Sequence, residues 1–529
     1  MFMKKFNNFL IFLFALAFIN LNAQDTRYID PIFDDVSAEY NVIYGTNISI
    51  LTGAPEPLNL LMDVYTPDGD VETSRPTFVV FHTGSFLPQY FNGQVTGSRL
   101  DSAVVNTCTR LAERGYVAVA ATYRQGWLPL APDQNARTSS LLQATYRGIQ
   151  DAYTCIRFLR KSVAEQDNPY GIDPDKIGAL GLGTGGYISY GVGYLDDYEE
   201  VVIDKFIDTE TLQPYVIPQI HGDPFGLDSA AISIPNHVGY DSDVSFIVNL
   251  GGALGDLSWI DGTDDEPESV GFHVVTDPFA PYNEGPVIVP TTGEFVVNVP
   301  GTRAAINAAN ELGNNDELAP VNDLPNALNA TVNFYKTVEV DLSGLGQGVF
   351  NIGVDNVYPF VMPGLQGSPW DWWDKPTLDV LIPQINALFG TDFSADTLHN
   401  NGLITSPNMG PDQGNAYLDT VFMYMLPRAC NAFELGECMT VNVNNPIDEQ
   451  LVGFEAMPVP ADDYITLNSK EESPMQNVYL FDVNGKAIRS YTKVNNSQLT
   501  IQRENLPPGV YFVKVKFKEG WLSQQVLFK

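Results

Sequence analysis

Between residues 40 and 440 the apolar positions change period repeatedly, and each change marks an element. Residues 76–81, PTFVVF, are an unbroken apolar run opening onto His82-Thr83-Gly84-Ser85-Phe86. Such a run suits a strand buried on both faces. DVYTP (63–67) ends an earlier β run; Leu100 to Arg114 fits a helix and GYVAVAATYRQGW (115–127) a strand. Between Leu141 and Lys161, Leu142, Tyr146, Ile149, Tyr153, Ile156 and Leu159 recur every three or four positions, which is one face of a helix. IGALGL (177–182), SFIVNLGG (245–252) and SVGFHVVTDP (269–278) read as further strands, and Tyr417 to Phe433 as a closing helix. Strands alternating with helices predict an α/β fold, a mainly parallel sheet with helices on both faces.

From Met457 onward the period falls to two. NVYLFDVNGKAIRSY and LPPGVYFVKVKF read as strands, with Asn484-Gly485 favouring a tight hairpin and Pro507-Pro508-Gly509 a turn. These runs predict a small all-β sandwich over 457–529, joined by a linker (441–456) to an α/β body over 24–440 with an insertion at about 195–245.

The first 23 residues stand apart. Lys4 and Lys5 precede an apolar stretch from Phe9 to Ile19, and Leu21-Asn22-Ala23 offers a cleavage site. That is the pattern of a secretory signal peptide, too short for a retained span. No later run has the length of a transmembrane segment, so a secreted or surface-held protein is expected. The formal charge is −36, and losing the two lysines makes it −38; phosphate backbones would be repelled, so nucleic acid is not an expected partner. Four cysteines remain after processing, Cys108, Cys155, Cys430 and Cys438. In an exported chain they suggest disulfides with three pairings open. No Cys/His cluster suggests zinc. Asp261, Asp264, Asp265 and Glu266 lack the Gly-interrupted spacing of a calcium loop. Neither a metal nor a cofactor is expected.

The stretch GALGLGTGGYIS (178–189) admits two readings. Gly181, Gly183 and Gly186 fit the G-x-G-x-x-G dinucleotide fingerprint, and Asp204 nearly supplies the downstream ribose acid. The same letters fit a G-x-S-x-G nucleophile elbow with glycine in place of serine. The neighbouring motifs favour the elbow. FHTGSF (81–86) is similar to the H-G-G-G-F oxyanion loop of the esterase/lipase branch of the α/β-hydrolase superfamily, YRGIQDAYTCIRFLR (146–160) and YGIDPDKIGALG (170–181) resemble its approach to the elbow, and GFHVVTDPFAPY (271–282) resembles its acid strand. The resemblance spans about residues 60 to 285 and implies an α/β-hydrolase fold. Toward the C-terminus, PVPADDYITL (458–467), Asp482 to Lys486 and LPPGVYFVKV (506–515) resemble the type A sorting domain of the type IX secretion system of Bacteroidetes, with Val459-Pro460 where Asn-Pro is usual. That resemblance implies the secretion machinery as a partner, and a protein released or held at the outer-membrane surface.

Carried over residue by residue, the hydrolase resemblance places the triad acid at Asp277 and oxyanion N–H donors at Gly84, Ser85 and Thr184. It leaves the nucleophile position, Gly183, without a side chain. Thr184 is the adjacent hydroxyl. The turn expected to carry the base, YPFVMPGLQGSPW (358–370), offers Gly364, Gln366, Gly367 and Pro369 but no histidine. His399, read as part of a polar loop, is the displaced alternative. Trp127, Trp370, Trp372 and Trp373 fall near strand ends and are expected on the site rim, where aromatics suit a sugar or aromatic ligand. Three functions follow from these residues: a non-hydrolytic ligand-binding relative, an ester hydrolase with an unrecognised nucleophile or base, and, more distantly, a dinucleotide binder.

Overall fold

The structure is a computed structural model that describes residues 26–262, 266–324, 326–436, 449–482, 487–491, 493–518 and 520–529. The expected signal peptide, Cys438, Asp264, Asp265, Asn484-Gly485 and the first half of the expected linker lie outside the described residues.

Eight strands form the central sheet: β1 (Val36–Ser49), β2 (Glu56–Pro67), β3 (Arg75–Phe81), β4 (Val117–Ala121), β5 (Ile172–Leu182), β6 (Phe246–Leu250), β7 (Glu268–Val274) and β8 (Val357–Phe360). Their order is β1-β2-β4-β3-β5-β6-β7-β8. β2 runs antiparallel to both neighbours, and every pair from β4 to β8 is parallel. The interior strands β3, β4 and β6 are buried at every position, which is why they read as continuous apolar runs rather than alternations.

Helices cover both faces. On one side lie α2 (Gln134–Glu165), α3 (Thr184–Tyr194) and α4 (Thr302–Leu312); on the other lie α1 (Ser102–Ala112) and α7 (Pro411–Ala432). All six periodic residues of α2 are buried, each contributing about 1.5–3 kcal/mol. The helix begins seven residues before the periodic run because the Asp133 carboxylate accepts from the Ala136 N–H, an N-cap. α7 likewise begins ahead of Tyr417, at Pro411, whose fixed φ suits the first helical position. Within α2, Asp151 accepts from Arg124 N–H and Nε at 2.7 and 2.9 Å, pinning the chain that leaves β4 toward Trp127.

Two helices depart from the sequence expectation. Between β8 and α7 the chain forms α5 (Lys375–Phe389) and α6 (Ala395–Thr405). His399 therefore sits in a helix and not in a polar loop. Asp374 and Ser394 cap the two helices, accepting from Thr377 N–H and Thr397 N–H, and Leu378, Ile382 and Leu398 cluster with Tyr90 and Val95. Apolar residues lie all round α5, with Val380, Leu381, Leu388 and Phe389 exposed, so the periodic signal here is weak and the caps carry the information.

The segment from 195 to 245 adds short helical turns and no strand to the sheet; Asp204 opens one of them, Asp204–Phe206. The strand that follows α3 is β6, so Asp204 does not stand at a strand end as a ribose-binding acid must. Cys108 and Cys155 are buried free thiols. They belong to the apolar layers on opposite faces of the sheet, which stands between them and rules out their pairing.

Near the C-terminus a three-stranded sheet (Glu455–Met457, Tyr464–Asn468, Gln498–Gln502) and a four-stranded one (Ala487–Tyr491, Asn477–Asp482, Gly509–Phe517, Gly520–Phe528) share one apolar core around Ile465, Leu480, Val513 and Val526. Two sheets over one core make a sandwich.

Candidate active site

Parallel strands deliver their C-terminal ends to one edge, and the chain leaving β3 and β5 in opposite directions opens a crevice there. A cavity of about 110 Å³ lies at that edge, and its wall includes Thr83, Gly84 and Ser85 after β3, Gly183 and Thr184 after β5, Gly251 after β6, Asp277 after β7 and Gly367 after β8. The positions singled out in the sequence are thus brought together by strand ends.

Gly183 joins β5 to α3 at φ 53°, ψ −112°, in the left-handed half of the map where side chains are strained. Its N–H donates to Leu250 O at 2.7 Å. A Cβ built on Gly183 would overlap Thr83 Oγ1 and lie 3.1 Å from Thr83 Cβ. The threonine side chain therefore stands in the space that a side chain on the elbow would need. The flanking glycines have a packing reason: a Cβ at Gly181 would overlap the Gly185 backbone, and one at Gly185 the Phe81 carbonyl.

The loop after β3 is also strained. Gly84, Ser85 and Phe86 have φ of 131°, 55° and 50°, a run that costs energy at the two non-glycine residues. Phe86 anchors it, buried and with its carbonyl accepting from Gly126 N–H at 2.8 Å. The Ser85 N–H, one of the expected oxyanion donors, donates instead to Thr184 Oγ1 at 2.7 Å. That bond ties the Thr184 hydroxyl oxygen to the loop after β3. The N–H groups of Gly84 and Thr184 have no hydrogen-bond partner among the described residues; Thr184 opens α3, where the first amides are free by geometry.

Asp277 is 5% exposed. Its Oδ1 accepts from Phe279 N–H at 2.7 Å and Ala280 N–H at 3.4 Å, while Oδ2 makes no hydrogen bond among the described residues and has His273 Nε2 at 3.9 Å. Burial pushes its pKa up to about 7 against the pull of the two amides. Gly367 faces it: a Cβ there would sit 3.0 Å from Asp277 Oδ2. The slot beside the acid is thus held by a glycine. None of the five histidines lines the cavity. His273 is enclosed, bonded to Thr302 Oγ1 at 2.7 Å, and its pKa is lowered by burial to about 3. His399 accepts from Trp373 Nε1 at 3.0 Å through Nδ1, so it sits behind the tryptophan that reaches the wall.

Of the four tryptophans expected on the rim, Trp127 and Trp373 line the cavity. Trp370 and Trp372 do not: Trp370 is 1% exposed and packs 6.2 Å from the Phe360 ring, and Trp372 packs into the layer that holds α7. Sequence reasoning missed Asp371 and Ser406, both on the cavity wall. Asp371 was legible only as part of the WDWWD run, and Ser406 only once α6 was known to end beside it. The Thr83 relationship had a signal: threonine stands in H-T-G-S where the oxyanion loop has glycine, and glycine stands at 183 where the elbow has serine.

Residues 455–529 match the family model of the secretion system C-terminal sorting domain. The C-terminal body is a secretion sorting domain. The protein is therefore secreted or held at the outer-membrane surface, and no helix among the described residues is long and apolar enough to cross a membrane. No curated protein matches the chain. Solved structures to which it is similar include a truncated carbohydrate esterase from gut microbiota (18% identity, TM-score 0.28, covering 48% of this chain and 81% of that one), a propionate-bound thermophilic esterase of Thermogutta terrifontis (20%, 0.27, 46% and 74%), and a bifunctional GH43-CE protein of Bacteroides eggerthii (15%, 0.29, 46% and 31%). Likeness at this level says nothing about substrate.

Proposed function

We propose that the protein is an exported member of the α/β-hydrolase superfamily whose Ser-His-Asp machinery is degenerate, and that it binds a small ligand in the retained cleft without hydrolysing it. The observation that carries this reading is a double vacancy. Glycine stands at the elbow tip (Gly183) with Thr83 filling the space above it, and glycine stands beside the acid (Gly367) with no histidine on the wall. Acyl transfer needs a hydroxyl, a base within hydrogen-bond reach of it, and an orienting acid. Asp277 supplies the last alone. Diversion of the Ser85 N–H to Thr184 Oγ1 further weakens the anion-stabilising end of the cleft.

One observation favours a second reading, an ester hydrolase. Thr83 Oγ1 occupies the region an elbow side chain would fill, so its hydroxyl is the candidate for an unrecognised nucleophile, with Asp277 as base. Short-chain p-nitrophenyl esters and a fluorophosphonate probe separate the two on the mature chain. The binding reading expects neither turnover nor labelling. Turnover abolished by Asp277→Ala, or a label mapped by mass spectrometry to Thr83 or Thr184, overturns it.

A further inference from the structure

The cavity wall has an uneven chemistry. It carries two carboxyl groups, Asp277 and Asp371, and no lysine, arginine or histidine. Asp371 is 7% exposed, and its carboxyl makes no hydrogen bond among the described residues. Asp277 spends Oδ1 on two backbone amides and keeps Oδ2 beside Gly251 and Gly367 on the wall. Burial raises the Asp371 pKa well above the ordinary carboxylate value, and the charge of a third acid, buried Asp101, adds to that. Ser406 is 4% exposed and lines the same cavity, and its Oγ has no partner among the described residues.

Buried carboxyls are ordinarily paired with a cation or turned into hydrogen-bond donors. Here the protein supplies no cation. The aromatic wall points the same way. Trp127 Nε1 donates to Arg137 O at 3.1 Å, and Trp373 Nε1 to His399 Nδ1 at 3.0 Å. With both indole N–H groups used inside the protein, what these residues offer a ligand is ring surface. Phe86 and Tyr187 add two more rings. Ring faces attract positive charge, more strongly where water is excluded, and the side-chain oxygens left over act as acceptors.

We propose that the cleft is a receptor site for a small organic ammonium ion, held between the Asp277 and Asp371 carboxylates with its alkyl groups against Trp127 and Trp373. The ligand supplies the positive charge that the wall lacks. This assignment rests on the ligand-binding reading of the cleft and names its ligand class. A neutral sugar would find acceptors and ring faces here, yet it would leave two carboxylates unpaired on ionisation.

Calorimetric titration of the mature chain at pH 8 tests it, using choline, n-butylamine, the uncharged choline isostere 3,3-dimethyl-1-butanol, and a neutral monosaccharide panel. Saturable binding of at least one cation is expected, with the isostere at least tenfold weaker. Asp371→Asn and Asp277→Asn should each weaken cation binding at least tenfold and isostere binding by less; the isostere comparison needs no variant and stands if either fails to fold. Equal affinity for choline and its isostere overturns the inference, as does binding of neither cation at millimolar concentration. Sugar binding without cation binding also overturns it, but leaves the ligand-binding reading in place. Ester turnover dependent on Asp277 removes that reading instead.

Discussion

Thr83 and Gly183 are complementary: the threonine hydroxyl occupies the space that a Cβ on the elbow glycine would enter. The pair is therefore expected to be coupled. Gly183→Ser alone adds an overlap to a backbone at φ 53°, and strain of this kind costs about 1–3 kcal/mol before the clash is counted. Thr83→Gly relieves the clash, so the double variant should recover stability that the sum of the singles does not predict, by about 1–2 kcal/mol. Urea unfolding of all four proteins measures the coupling. Additivity within about 0.5 kcal/mol would show that the two side chains do not compete for the same space.

The Ser85–Thr184 bond makes a separate claim. Thr184→Ser keeps the acceptor and should leave stability nearly unchanged. Thr184→Val keeps the volume and removes the acceptor, orphaning a part-buried N–H at a cost of about 1–3 kcal/mol. Thermal melts of the two variants should differ by several degrees. Equal melts would mean that the amide finds another partner, and that the loop is not held by this bond.

The parallel core was legible because its strands are buried on both faces and its long helix keeps a strict period; Leu142 through Leu159 were found by spacing alone. That Gly183 and Asp277 would meet at one cavity was legible through motif order. What escaped was whatever depends on two distant segments meeting. Gly183 reads as a missing nucleophile until Thr83, a hundred residues upstream, is seen above it. Trp370 and Trp373 are three residues apart in one aromatic run, yet one is core and the other wall. α5 and α6 were missed because their caps, Asp374 and Ser394, are polar signals in stretches where few apolar residues are buried.

Removal of residues 455–529 tests the sorting assignment independently of any chemistry in the cleft. The sandwich has its own apolar core, separate from the layers that build the cavity. In a host with type IX secretion, the truncated protein should accumulate in the periplasm, while the full chain reaches the medium or the cell surface. Fractionation with immunoblotting reads the outcome. Equal export of both forms would show that the segment is not the sorting signal.

Asp277 makes the last prediction, and its sign follows from linkage. The groups facing it are His273, held neutral by burial, and Tyr187, whose pKa is raised; no lysine or arginine lines the cavity. Burial lifts the Asp277 pKa from the ordinary 3.8 to about 7. Between those values the folded protein holds a proton that the unfolded chain has released. Folding stability contributed by this group is therefore greatest at low pH and is lost as pH rises toward 7. The buried histidines act in the opposite direction: His82 and His273, lowered to about 4 and about 3, cost stability as pH falls below about 6.5. The wild-type curve alone is thus a difference of opposing slopes. Asp277→Asn keeps both histidines, so subtracting its unfolding free energy from that of the wild type isolates the carboxyl. That difference should shift against the wild type between about pH 4 and pH 7 by on the order of 2–4 kcal/mol, then flatten above pH 7. A difference independent of pH would mean that Asp277 ionises in the folded protein as it does in solvent, and that the cleft is open to water at the acid.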